Sequence, residues 1–225
     1  MKIELEKLTL RNNRDNFKDL TFSFKGGKSY FIIGANGVGK TSLINSMVGL
    51  HKPLSGDIFY DGVNFYEDSR EDRYNIRQKM GIIFERPGLL SNLTIFENLK
   101  LRFLPIEKID IWEDNPKKGE IDLLIREELI DLGLGNKKDL RPDLLSQGEI
   151  KKVSISRALI SNPKIIIWDN AFEGLSIEDK FYFEEKILRL KNKKAIIIFL
   201  NSWVSCKTDL LDDVLDLNKW RKKID

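Results

Sequence analysis

The sequence predicts an α/β fold with a parallel-sheet core, on three observations. A glycine-rich segment, Gly34 to Thr41, stands between an apolar strand and a helix. The C-terminal part alternates short apolar runs with amphipathic stretches, the pattern left by strands and helices that alternate around a parallel sheet. Between these regions the apolar spacing becomes helical, as an inserted helical segment requires.

The elements follow in chain order. Met1-Lys2-Ile3-Glu4-Leu5-Glu6 alternates apolar and polar residues like a strand. Tyr30-Phe31-Ile32-Ile33 is an apolar strand leading into the glycines, and a helix is predicted over Thr41–Leu50. Ile58-Phe59-Tyr60 enters a hairpin that turns through Asp61-Gly62, completing an N-terminal antiparallel β subdomain. From Leu89 to Leu145 the spacing is helical, most clearly at Ile121, Leu124, Ile125 and Leu129, with charged residues expected on the opposite side. A helix over Gln147–Ile160, a buried strand at Ile165–Trp168, an amphipathic helix over Ile177–Leu190 and a buried strand at Ala195–Leu200 complete the sheet. The expected organisation is one domain over 1–225, with a core lobe of 1–88 and 146–225 and a helical insertion of about 89–145.

A chain of 225 residues is long enough to bury a substantial core by itself. With 41% hydrophobic and 32% charged residues it has the composition of an ordinary globular chain. No apolar run reaches the roughly 18 to 20 residues of a membrane-spanning helix, and the start lacks the apolar stretch of a secretory signal. A cytoplasmic location is therefore expected, with any membrane role exerted through a partner. The single cysteine, Cys206, excludes an internal disulfide and is given no role. The formal charge of +3 arises from 38 basic and 35 acidic residues spread along the chain, without a basic face beside a recognisable motif, so nucleic acid is not an expected partner.

Chemistry concentrates in Gly34-Ala35-Asn36-Gly37-Val38-Gly39-Lys40-Thr41, which fits GxxxxGK[ST] in its required context of strand before and helix after. Around Asn36, Gly37 and Gly39 the backbone N–H groups can curl about phosphate oxygens, and the helix beginning near Lys40 directs the positive end of its dipole at the same anion. Lys40 adds a full charge, Thr41 offers a hydroxyl to Mg²⁺, and Ser42 can bond a further phosphate oxygen. Ile165-Ile166-Ile167-Trp168-Asp169 places a carboxylate at the end of a buried strand, where it can hold Mg²⁺ or its water opposite Thr41. These residues describe a site for a nucleoside triphosphate.

Leu145-Ser146-Gln147-Gly148-Glu149, followed by Arg157-Ala158-Leu159 on the same helix, resembles the LSGGQ signature of ABC ATPases. The resemblance runs collinearly along the chain. Gly56-Asp57-Ile58 and Asp61-Gly62 stand where the family has its early hairpin, Ile83-Phe84-Glu85-Arg86-Pro87 where it has the Q-loop, and Phe172-Glu173-Gly174-Leu175-Ser176 where it has the D-loop. It implies a RecA-like P-loop NTPase fold with an antiparallel β subdomain and an α-helical insertion. It also implies ATP and Mg²⁺ as ligands, and a head-to-tail dimer in which Ser146 and Gly148 reach the γ-phosphate held by a second ABC ATPase subunit. A transmembrane permease subunit is implied as partner, which would place the chain peripherally at the inner face of the cell membrane. Leu89, Leu90, Leu93 and Phe96 either dock that permease or pack within the insertion.

The departures from the family pattern bear on hydrolysis. Asn170 stands where the family has the glutamate that polarises the attacking water, and an amide cannot accept a proton. General-base contributions are worth about 10²–10⁴ in rate, so weak hydrolysis is expected at this chain's own site while ATP binding survives. Asn201 occupies the place of the switch histidine, and the only histidine, His51, follows the phosphate-loop helix. Glu85 replaces the Q-loop glutamine and remains able to reach Mg²⁺ beside Thr41 and Asp169. Ser176 replaces the D-loop aspartate, and Arg11 stands where an aromatic stacks on adenine and can stack its guanidinium there. Glu173, the next acid after Asp169, is not expected to replace the base, because the chain turns before it. Both a heterodimer with a complete ATPase and a homodimer fit this pattern. The alternative outside transport is a nucleotide-gated clamp on nucleic acid or the ribosome.

Overall fold

The structure, a computed structural model, describes residues 1–10, 17–104, 118–170, 172, 174–200 and 210–220. Strands β1 (Lys2–Leu10), β2 (Phe17–Lys25), β4 (Ser55–Tyr60) and β5 (Val63–Asn64) form an antiparallel sheet in the order β2-β1-β4-β5. Strands β6 (Met80–Ile83), β7 (Ile165–Asp169), β8 (Ile196–Leu200), β3 (Ser29–Ile33) and β9 (Asp213–Asp216) form a parallel sheet in the order β6-β7-β8-β3-β9. The helices are α1 (Lys40–Met47), α2 (Arg70–Gln78), α3 (Ile95–Lys100), α4 (Lys118–Asp131), α5 (Gln147–Leu159) and α6 (Ile177–Asn192). This is the α/β P-loop architecture that the sequence predicts, with α3 and α4 carrying the insertion.

The central parallel strand β8 is apolar and buried at every position, and β7 is so up to its terminal Asp169, because each has a core on both faces. Ile32, Ile165, Ile167, Ile196 and Ile198 join a core shared with α1 and the antiparallel sheet. Their neighbours Phe31, Ile166, Trp168, Ile197 and Phe199 enter a second core under α3, α4, α5 and α6. Alternate residues of one strand thus serve different layers. In the antiparallel sheet, Phe59 pairs with Asn64 and Tyr60 with Val63 around Asp61-Gly62, both left-handed at φ 50° and 86°, the geometry of a two-residue hairpin turn.

Helix α1 ends at Met47, short of the predicted Leu50, because Gly49 turns left-handed at φ 82° and closes the helix end. The prediction for α4 also needs correction. Glu128, expected on the polar side, is 6% exposed between Ile125 and Leu129. Its carboxylate accepts from Ser156 of α5 and pairs with Lys186 of α6, so the charge is buried with partners on two neighbouring helices. Arg102, just after α3, donates to the carbonyls of Gln78 and Met80 and to Ser161, bonding the segment after α3 to the end of α2, the start of β6 and the loop after α5.

Candidate functional site

The register of the parallel sheet brings the ends of its central strands level. Asp169 of β7 pairs with Leu200 of β8, and Leu200 pairs with Ile32 of β3. The glycine-rich loop, Asp169 and Glu85, which follows β6, therefore all lie at the C-terminal ends of strands of the parallel sheet, where open α/β sheets place their ligands.

The loop itself has little choice of shape. Gly34 passes so close to its surroundings that a Cβ there would lie 2.7 Å from a Val38 methyl. Gly39 caps α1 in a left-handed conformation, φ 110°, that a side chain would strain. Having no side chain, Gly39 leaves the first-turn N–H groups of α1 uncapped, and no acid stands in that turn. The helix start thus presents donors and a positive dipole end to an anion. Lys40, 8% exposed, donates from Nζ to the carbonyls of Gly34 (2.7 Å) and Ala35 (3.2 Å), lying across the loop it follows. Burial lowers its pKa from the ordinary lysine value, and the negative charge of Asp169 works in the opposite direction. Thr41 is exposed at the same helix start, Ser42 is half-buried, and Asn36 and Gly37 are exposed in the loop.

Asp169 is half-buried. Burial holds its carboxyl above the ordinary aspartate value, the charge of Glu85 pushes it further up, and Lys151 and Lys40 pull it down. The charges of Glu85, Lys151 and Lys40 thus all reach the Asp169 carboxyl. Lys151 of α5 is 7% exposed and donates from Nζ to the Glu85 carbonyl at 2.7 Å. A cavity of about 260 Å³ adjoins this cluster, lined by Glu85, Pro87, Gln147, Lys151, Asn170 and Gly174. Asn170 is left-handed at φ 46°, a region that asparagine tolerates better than most residues, and its N–H donates to the Leu200 carbonyl at 3.4 Å.

Ser146 is the N-cap of α5. Its hydroxyl accepts from the Glu149 N–H at 3.3 Å, and its own N–H donates to the Glu149 carboxylate at 2.9 Å, a capping box. Lys137 pairs with the same carboxylate at 2.6 Å. The helix start thus already carries an anion, which also draws on the Ser146 hydroxyl, and the first-turn N–H groups of Gln147 and Gly148 are the donors that the capping box does not engage. Ser176 caps α6 by accepting from the Asp179 N–H at 3.1 Å, a use that serine shares with the aspartate it replaces.

Of the apolar residues beyond the Q-loop position, Leu89 and Phe96 pack against the core of the insertion, Leu93 is half-buried and Leu90 is 47% exposed. Asn98, fully buried, holds this loop by bonding both the N–H and the carbonyl of Leu90. Arg11, Asn201, Glu173 and Cys206 lie outside the described residues. Sequence reading missed Lys151, a cation buried on α5, and Asn218, whose side-chain oxygen accepts the Ala35 N–H. Neither leaves a local signal, because each partner is distant in the chain.

The Asp169 and Glu85 carboxylates, oxygen donors suited to Mg²⁺, are close enough for one charge to perturb the other, and the Thr41 hydroxyl stands exposed at the start of α1. Among the described residues no group of three or more His, Cys, Asp and Glu side chains forms a metal cage. A metal held by one or two carboxylates plus substrate phosphates fits this set. No helix among the described residues is long and apolar enough to cross a membrane.

Comparison with known proteins agrees with this geometry. Residues 17–173 match the family described as ABC transporter. A protein of Caldanaerobacter subterraneus subsp. tengcongensis, named as an ABC transporter ATP-binding protein, is 30% identical over 205 residues, 91% of this chain and 81% of that one. The methionine import ATP-binding protein MetN of Escherichia coli O157:H7 is 38% identical over 149 residues, 66% of this chain but only 41% of MetN. Among solved structures, an ATP binding subunit of an ABC transporter superposes with a TM-score of 0.81 at 24% identity, covering 96% of this chain and 85% of that one. An ATP-binding cassette solved as a dimer in a post-hydrolysis state with ADP and Pi gives 0.73 at 23% identity, covering 89% and 88%. At these identities the structural likeness is one of fold. The family match extends over most of the chain, and on that ground this is an ATP-binding protein of the ABC transporter family.

Proposed function

We propose that this chain is the nucleotide-binding subunit of an ABC transporter that holds MgATP at its own site and hydrolyses it slowly. The observation that carries the reading is Asn170. It directly follows Asp169 and lines the cavity beside Glu85, and it offers an amide where hydrolysis needs a proton acceptor.

Binding draws on groups in different roles. The first-turn N–H groups of α1 and the Lys40 ammonium take the phosphates, and the buried strand before the loop keeps that backbone in place. Thr41, Asp169 and Glu85 would hold Mg²⁺, which supplies charge neutralisation between phosphate oxygens when bound. Asn36, Gly37 and Gly39 shape the loop, Ser42 bonds a further phosphate oxygen, and Arg11 is the candidate for stacking on the adenine. Asn170 can orient a water by hydrogen bonding but cannot deprotonate it. Asn201 stands in the switch position with the same limitation.

The second half of the proposal concerns partners. Ser146 and Gly148 are offered to a second ABC ATPase subunit, and a separate transmembrane permease is moved by the pair, with this chain at the cytoplasmic face of the membrane. The capping box supports a preformed α5 start that does not wait for a ligand to order it.

The test is ATP binding and turnover by the purified chain. Saturable MgATP binding with turnover far below 1 s⁻¹ is expected, and a rate of about 1 s⁻¹ or faster overturns the slow-site reading. Asn170→Glu combined with Asn201→His is expected to raise the rate, and no gain would place the deficit elsewhere.

A further inference from the structure

Lys151 is a buried ammonium that the binding roles above do not use. It rises from the second turn of α5, is 7% exposed, and bonds the main-chain carbonyl of Glu85 at 2.7 Å. It shares the cavity wall with Glu85, Gln147, Asn170 and Gly174. A buried lysine keeps its charge only where negative groups compensate for lost hydration. Here Lys151 shares the cavity wall with Glu85, and the charges of both are felt at Asp169.

We infer that Lys151 is the electrostatic counterpart of Glu85: a fixed second cation, besides Lys40, that offsets the negative charge of Glu85 so that a triphosphate can enter a site lined by two carboxylates. This deepens the proposed nucleotide site and rests on it. The physical reason is the balance of charge. Asp169 and Glu85 together repel a phosphate chain, and the charges of Lys151 and Lys40 both act the other way at Asp169. A cation anchored on the Glu85 backbone stays beside the charge it offsets, whatever the metal occupancy. Because α5 also carries Ser146 and Gly148, the same bond ties the segment after β6 to the helix offered to the second subunit.

The role is electrostatic, so it separates from a merely structural one by charge rescue. ATP affinity of the purified full chain is measured in excess EDTA and in excess Mg²⁺ for the unaltered chain, Lys151→Met, Lys151→Gln, Glu85→Gln and the double variant Glu85→Gln with Lys151→Met. Met retains the packing of the lysine stem, and Gln can still donate to the Glu85 carbonyl. Both Lys151 variants are expected to weaken metal-free ATP binding by roughly tenfold or more, with a smaller loss in Mg²⁺. Glu85→Gln is expected to strengthen metal-free binding, and the double variant to return close to the unaltered chain. Lys151→Gln binding like the unaltered chain would overturn the inference by assigning Lys151 to anchoring alone. So would a double variant as weak as Lys151→Met. If the unaltered chain binds no ATP in either condition, the nucleotide-site reading fails and this inference fails with it.

Discussion

The side-chain oxygen of Asn218 accepts the N–H of Ala35 at 3.0 Å, joining the C-terminal segment to the phosphate loop across 183 residues of chain. Asn218 is itself held by Asp216, whose carboxylate accepts from both its N–H and its side-chain amide at 3.0 Å. On its other side Ala35 accepts from the Val38 N–H at 3.1 Å and from Lys40 at 3.2 Å. The start of the loop is thus fixed from the end of β9. Asn218→Leu is expected to raise the Kd for ATP about threefold, a modest factor because the bond is exposed to water. Adenosine, which lacks phosphates, should bind unchanged, as measured by calorimetry.

Glu128 holds three helices through one carboxylate, accepting from Ser156 and pairing with Lys186 while only 6% exposed. Removing one partner from a buried pair is costlier than the pair is stabilising, because the remaining groups lose their compensation. Glu128→Ala is expected to lower stability by about 3 kcal/mol in urea unfolding. Glu128→Gln, which keeps an acceptor for Ser156, should cost less.

Asp212 ties the end of the chain to β3. It accepts from the N–H and hydroxyl of Ser29, each at 2.7 Å, and pairs with Lys191 at 2.6 Å. Burial would raise its pKa, but the bonds from Lys191 and Ser29 outweigh it and hold the carboxyl below the ordinary 3.8. An acid lowered in the folded state stabilises fully above its unfolded pKa and loses that stabilisation as pH falls through the folded value. Asp212→Asn is therefore expected to cost about 1 kcal/mol at pH 7. The difference from the unaltered chain should shrink as pH drops through and below 3.8 in paired unfolding curves.

Glu149 places a negative charge at the start of α5. The bond from Lys137, and then that from the Ser146 N–H, keep it ionised below the ordinary glutamate range. Glu149→Gln can preserve the capping box, so its stability cost should stay within about 0.5 kcal/mol. With the anion gone, ATP-dependent dimerisation should strengthen, as read by light scattering. An unchanged or weaker dimer would show that this helix start does not meet a phosphate.

The fold was legible because its signals are local. The apolar runs at Ile165–Trp168 and Ala195–Leu200 are strands because both faces are buried, and such runs announce themselves in sequence. Asp61-Gly62 announces its hairpin in the same way. Helix α2 escaped notice because it buries only Ile76, leaving little periodicity beyond the Ser69 cap. Strand β9 escaped because Asp213-Val214-Leu215-Asp216 is short, and becomes a strand only by pairing with β3.

The sequence by itself determined the phosphate loop, the strand-end acid Asp169 and the amide at Asn170, since each depends on residue type at a fixed spacing from its neighbours. Only the tertiary structure decided which charges act on which. Glu128 turned inward because Lys186 and Ser156 wait on other helices, Lys151 reached Glu85 from 66 residues away, and Asn218 closed on Ala35 from the far end of the chain. Electrostatic and hydrogen-bond partners are chosen by distance in space, and packing of the sheet and its helices sets that distance.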